Sequence, residues 1–150
     1  MRKAFIIAST LLLISFVLQF VFAAVGGFTK PAGDGAYALH SVNGMAVIPV
    51  LSLLTALFAT LAKAPGRLIG LAILPIGLVV VQALIAMLAN ASTDAAGAST
   101  PLGLTIAGLH AVNGIIAVHV VVGVLRAARK LAQPAPTDAT PVTIREGEPA

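Results

Sequence analysis

Polar and apolar residues occur in this chain as long blocks. Uncharged stretches run from Ala4 to Thr29, Gly35 to Ala62, Leu68 to Thr93 and Ala95 to Leu125. Each exceeds the roughly 20 residues a helix needs to cross a hydrocarbon layer about 30 Å thick. The blocks predict an all-α membrane protein with four transmembrane helices, at about residues 4–24, 39–61, 68–89 and 102–128. A Gly-rich and Pro-containing run from Gly26 to Gly35, a short basic link from Lys63 to Arg67 and a small polar stretch from Asn90 to Pro101 mark the connections. Pro49 falls inside the second helix, where a kink is expected, and Pro75 inside the third.

Within the blocks, the polar residues repeat. His-x-Val-Asn-Gly occurs at His40-Ser41-Val42-Asn43-Gly44 and again at His110-Ala111-Val112-Asn113-Gly114, an offset of 70 residues. A weaker echo relates Gln19 on helix one to Gln82 on helix three, an offset of 63. A longer second outer loop is expected to absorb the difference. The chain therefore reads as two tandem helix hairpins of the same orientation, related by a pseudo-two-fold axis along the membrane normal. In such a bundle helices two and four are adjacent or diagonal. A diagonal of roughly 12–14 Å, from neighbour spacings of about 8–10 Å, would let two imidazoles reach toward a common centre.

Composition narrows the class. Of the 150 residues 59% are hydrophobic and 9% charged, against about 25% charged in an ordinary soluble domain. Residues 1–130 read as one membrane domain, with residues 131–150 as a disordered cytoplasmic tail. The absence of cysteine excludes disulfides, thiolate metal sites and covalent haem attachment. The formal net charge of +4 does not point to nucleic acid, because the basic residues sit at helix ends. Arg2, Lys3, Lys63, Arg67, Arg126, Arg129 and Lys130 fall on one side of a four-span topology, and Lys30 alone on the other. The positive-inside rule then puts both termini in the cytoplasm. The start of the chain also resembles a secretory signal, but its apolar run is longer than a signal core, so helix one is expected to be retained.

The candidate chemistry lies in one polar layer formed by Gln19, His40, Asn43, Gln82, His110 and Asn113, with Gly44 and Gly114. Imidazoles and amides in a bilayer helix are costly unless partnered. His is a common axial ligand of haem, and Asn and Gly three and four residues later share its helix face. Glycine there would let a flat macrocycle approach. One reading is therefore a b-type cytochrome, with haem b held between His40 and His110 near the outer face. It would transfer electrons to a quinone or a redox partner protein. The alternative is a cofactor-free accessory subunit or small-solute carrier, with the same residues hydrogen-bonding helices together. A divalent-metal site at His40 and His110 has too few ligands for zinc, which takes three or four from protein. Lys30 and Tyr37 are candidates for haem propionates, although interface anchoring also explains Tyr37. His119 lies nine residues beyond His110, on the opposite side of its helix and opposite Pro49 in the repeat. It is expected to hydrogen-bond to another helix. No enzyme site of a familiar type is visible. Further copies of the chain remain a candidate partner besides lipid.

The glutamine-then-histidine pattern, repeated once and most specific at Leu109-His110-Ala111-Val112-Asn113-Gly114, resembles a group of small four-helix bacterial membrane proteins, often actinobacterial, called domain-of-unknown-function family 6220. That resemblance would span roughly Ala4 to Arg129 and implies a fold and a membrane location, but no reaction. A more distant similarity is to haem-binding four-helix bundles such as haem A synthase and the b561-type cytochromes. It carries over only His40 and His110 as axial ligands, with Gln19 and Gln82 as looser matches. A second histidine pair is missing, so at most one haem is implied.

Overall fold

The computed structural model describes residues 1–31, 33 and 35–134. Four helices cross it: α1 (Arg2–Phe28), α2 (Ala38–Leu61), α3 (Gly66–Ala91) and α4 (Pro101–Ala132). All are long and apolar enough to span a membrane. Leu131 and Ala132, read from the sequence as the start of the tail, continue α4, whereas residues 135–150 lie outside the described residues. Around the bundle, α1 packs on α2 and α4, and α3 packs on the same two helices. The histidine helices α2 and α4 are therefore diagonal, as are the glutamine helices α1 and α3.

Small side chains make this packing possible. Between helices in lipid there is little hydrophobic driving force, so association rests on close backbone approach and polar contacts. The buried positions are accordingly rich in Ala and hydroxyl residues, among them Ala8, Ser9, Ser52, Thr55, Ala59 and Ala72. Large aliphatic side chains such as Leu11, Ile14, Leu53 and Leu84 face outward. Ser9, Ser52 and Thr55 return their hydroxyl hydrogens to carbonyls four residues back, at 2.7–2.8 Å. None of these three hydroxyls is left unpaired.

The core is graded along the bundle. Phe5, Ala59, Leu68, Ala72, Val124 and Ala128 pack at the end that carries both described termini. Leu12, Phe16, Ile48, Ala117 and Val121 form the next layer. Above them the core opens into the polar layer.

Two local features position that layer. Helix α2 is interrupted by a π-helical turn over Asn43–Val47, closed by a bond from the Ile48 N–H to the Asn43 carbonyl. Pro49 follows immediately. Proline has no N–H, and its ring crowds the carbonyl four residues before it, here that of Met45. A turn widened by one residue is how the helix accommodates it, and this is the form the expected kink takes.

The second feature corrects the sequence reading. Gln19 and His40 are 21 residues apart, Gln82 and His110 are 28 apart. The outer connections, residues 29–37 and 92–100, are nonetheless equal in length. The seven extra residues are helical and lie before His110 at the start of α4. Seven residues are close to two helical turns, so His110 keeps its facing while α4 begins about 10 Å higher than α2. A Thr100 cap holds this longer start, its hydroxyl accepting from the Gly103 N–H at 3.1 Å and donating to the Ser92 carbonyl.

The small-residue packing makes a direct prediction. Ala72→Leu should overpack a fully buried position and lower unfolding free energy in detergent by about 1–3 kcal/mol. Leu84→Ala, on the outer face, should change it by less than about 0.5 kcal/mol.

Candidate functional site

In each hairpin the glutamine and asparagine form the same ladder. Gln19 Nε2 donates to the His40 carbonyl at 2.9 Å, and Asn43 Nδ2 donates to Gln19 Oε1 at 2.7 Å and to the Ser15 carbonyl at 2.9 Å. In the second hairpin, Gln82 Nε2 donates to the His110 carbonyl at 2.7 Å. Asn113 Nδ2 donates to Gln82 Oε1 and, at 2.9 Å, to the Leu78 carbonyl. Ser15 and Leu78 keep the same offset of 63 as the glutamines, so the repeat holds atom by atom. The bond from Ser15 Oγ to Asn43 Oδ1, at 2.7 Å, has no counterpart in the second hairpin. Ser15 was not singled out from the sequence, although it lies one turn before Gln19 on the same face.

The glycines play unequal parts. A Cβ on Gly44 would stand 2.7 Å from Gln19 Nε2, so the bare backbone there is filled by the glutamine amide. At Gly114 the nearest atom would be Phe20 Cζ at 3.4 Å, an ordinary contact. The approach surface expected of both glycines is thus taken up by Gln19 in the first half.

The two imidazoles meet across the diagonal. Their ring centroids are 6.1 Å apart and their planes inclined by 38°. His40 Nδ1 lies 3.1 Å from the Gln19 carbonyl oxygen. A carbonyl can only accept, so Nδ1 carries the hydrogen, and in the neutral ring Nε2 keeps its lone pair. Tyr37 meets the same ring edge-on at 6.2 Å, and its own ring fills the space over Gly26. His110 Nδ1 is buried without a hydrogen-bond partner. The Gln82 main chain faces it, outside hydrogen-bond geometry.

Both rings line a cavity of about 280 Å³. Gln19, Gln82, Gly44, Asn113 and Gly114 line it as well; Asn43 does not. Phe16, Ile48 and Ala117 lie on its wall, where the packed middle layer ends. Much of the lining is small, including Ala23, Ala83, Ala86 and Ala111. No cluster of three or more His, Cys, Asp or Glu exists among the described residues.

His119 is exposed on the outer face of α4 and donates from Nδ1 to the carbonyl of Ile115 on its own helix, at 2.8 Å. The expected bond to another helix is not formed. The i−4 carbonyl is nearer, and the side chain points away from the bundle.

Fold and site together define a polytopic four-helix bundle of the membrane, built from two hairpins, each closed by a buried amide ladder. Residues 19–90 match the model of a family of unknown function, DUF6220, and the chain resembles that family across this stretch. The match includes Gln19, His40, Asn43 and Gln82 and ends before the second pentapeptide. No curated protein and no solved structure matches the chain.

The ladders predict coupled energetics. A Gln19→Leu, Asn43→Leu double-mutant cycle in detergent should give a coupling of about 0.6–1.7 kcal/mol, the range for hydrogen bonds between membrane helices. Gly44→Ala should lower thermal stability by displacing Gln19. Gly114→Ala should be neutral or stabilising, since alanine is the better helix former by about 1 kcal/mol.

Proposed function

We propose that this chain is a small b-type cytochrome of the membrane, holding one haem between His40 and His110. The observation that carries the reading is the imidazole pair: His40 and His110 line one cavity with ring centroids 6.1 Å apart, close enough that both would hold a single metal centre.

The chemistry of the donor set agrees as well. A metal-binding histidine usually donates its other ring N–H to a carbonyl or carboxylate, which fixes its orientation. His40 has such a bond to the Gln19 carbonyl. The orphaned His110 Nδ1 leaves the second ring freer to adjust. With no cluster of three or more His, Cys, Asp or Glu among the described residues, the pair would suit a metal whose other ligands come from its own macrocycle. Haem, when bound, supplies a one-electron iron couple. His40 and His110 would hold it, Gln19 would orient His40, and the small and aromatic lining would exclude water.

The pair lies at the end of the bundle opposite Arg2 and Ala132. With both termini in the cytoplasm of a bacterial inner membrane, as the positive-inside rule favours, the site would lie near the outer face. A quinone or a partner protein would then complete the electron path, because one haem at one face does not span the bilayer.

One observation favours the cofactor-free reading, an accessory subunit or small-solute carrier. The Gln and Asn side chains are spent on one another and on carbonyls, as structural glue requires.

The absorption spectrum of protein purified with haem supplied separates the two. The cytochrome reading expects a Soret band with a low-spin bis-imidazole signature in electron paramagnetic resonance. His40→Ala and His110→Ala should each abolish the low-spin signal. A protein that takes up no haem, or whose spectrum ignores both substitutions, is not this cytochrome.

A further inference from the structure

A second concavity lies at the opposite end of the bundle, among the starts of α1 and α3 and the end of α4. It is an open groove of about 630 Å³. Three cations from three helices converge on it, Arg2, Arg67 and Lys130. Its walls are apolar, with Leu68, Leu71 and Leu131 prominent. We propose that this groove binds the phosphodiester headgroup of an anionic glycerophospholipid, with the acyl chains running down the apolar wall.

Charge is the first argument. Asp94 is the sole carboxylate side chain among the described residues, and it sits in the α3–α4 connection, its oxygen held by the Ala96 and Ala98 N–H groups. Arg2, Arg67 and Lys130 thus line one groove with no described acidic side chain beside them. Three like charges that share a groove favour an anion there. Helix α3 adds to the field. Its N-cap is Pro65, which makes no side-chain cap bond, and its first turn has no acidic residue. The positive end of the helix is left uncompensated beside Arg67.

Shape and place decide which anion. The positive-inside rule explains basic residues at this end, but only as a scattered count. It does not require three of them, from three helices, to share one concavity with leucines. Basic pockets between transmembrane helices bind anionic headgroups, and guanidinium groups pair phosphate oxygens bidentately. The leucine wall suits a phosphate that carries hydrocarbon better than free phosphate.

The test uses the full chain in a neutral detergent, with native mass spectrometry and thermal melting as readouts. Probes are phosphatidylglycerol, phosphatidylcholine and inorganic phosphate. Phosphatidylglycerol should be retained over phosphatidylcholine and should raise the melting temperature. Retention should fall about fivefold per cation removed in Arg67→Gln and Lys130→Gln. Arg129→Gln, a cation at the same end but outside the groove, should leave it unchanged. Equal retention of the two lipids overturns the proposal, as does an equal loss in Arg129→Gln. Stabilisation by inorganic phosphate as large as that by phosphatidylglycerol overturns it in favour of a soluble phosphate ligand. Lys130→Gln removes an exposed side chain, so its effect reads binding without loss of the fold.

Discussion

Gln19, wedged between α1 and α2, gives a hydrogen to the His40 carbonyl and takes one from Asn43. Gln82 does the same between α3 and α4. In hydrocarbon these amides have no water to fall back on, and leaving one unpaired costs several kcal/mol. Each ladder therefore fixes the register of its hairpin as well as its contact. With the registers fixed, the two imidazoles arrive at the same level. The small-residue core below needs the same registers for its close approaches.

The architecture was largely written in the charge pattern. Four uncharged blocks give four helices because a bilayer admits few other solutions. The twin pentapeptide exposed the duplication. It could not say whether α2 and α4 were neighbours or diagonal, since both satisfy the same hydrophobic pattern. Packing settled that. The seven-residue difference between the halves was assigned to a longer second outer loop, although a helix starting near residue 102 already takes in Thr105 and Gly108 and so carries the extra turns itself. The role of Gly44 was also out of reach from sequence. Its neighbour is set by the reach of Gln19, and only coordinates supply that distance. The outward turn of His119 was partly legible, since a nine-residue step placed it opposite His110, but the acceptor on its own helix was not.

The molecule divides its polar groups by task. The amides and Ser15 are consumed in holding helices, with their hydrogen bonds closed on one another. The imidazoles are not consumed. His40 uses one nitrogen and His110 leaves a buried one without a partner. The contrast between spent amides and unspent imidazoles gives the pair its interest. Ser15 and the π-turn of α2 make the two halves chemically unequal.

The extra turns at the start of α4 also shape the approach to this centre. His40 is the third residue of its helix and His110 the tenth, yet the rings face each other. The wall around the cavity is consequently a step, low at α2 and about 10 Å higher at α4. Two imidazoles that occupy equivalent places in the repeat thus stand at different depths below the ends of their own helices. The two-fold pattern therefore has a front and a back.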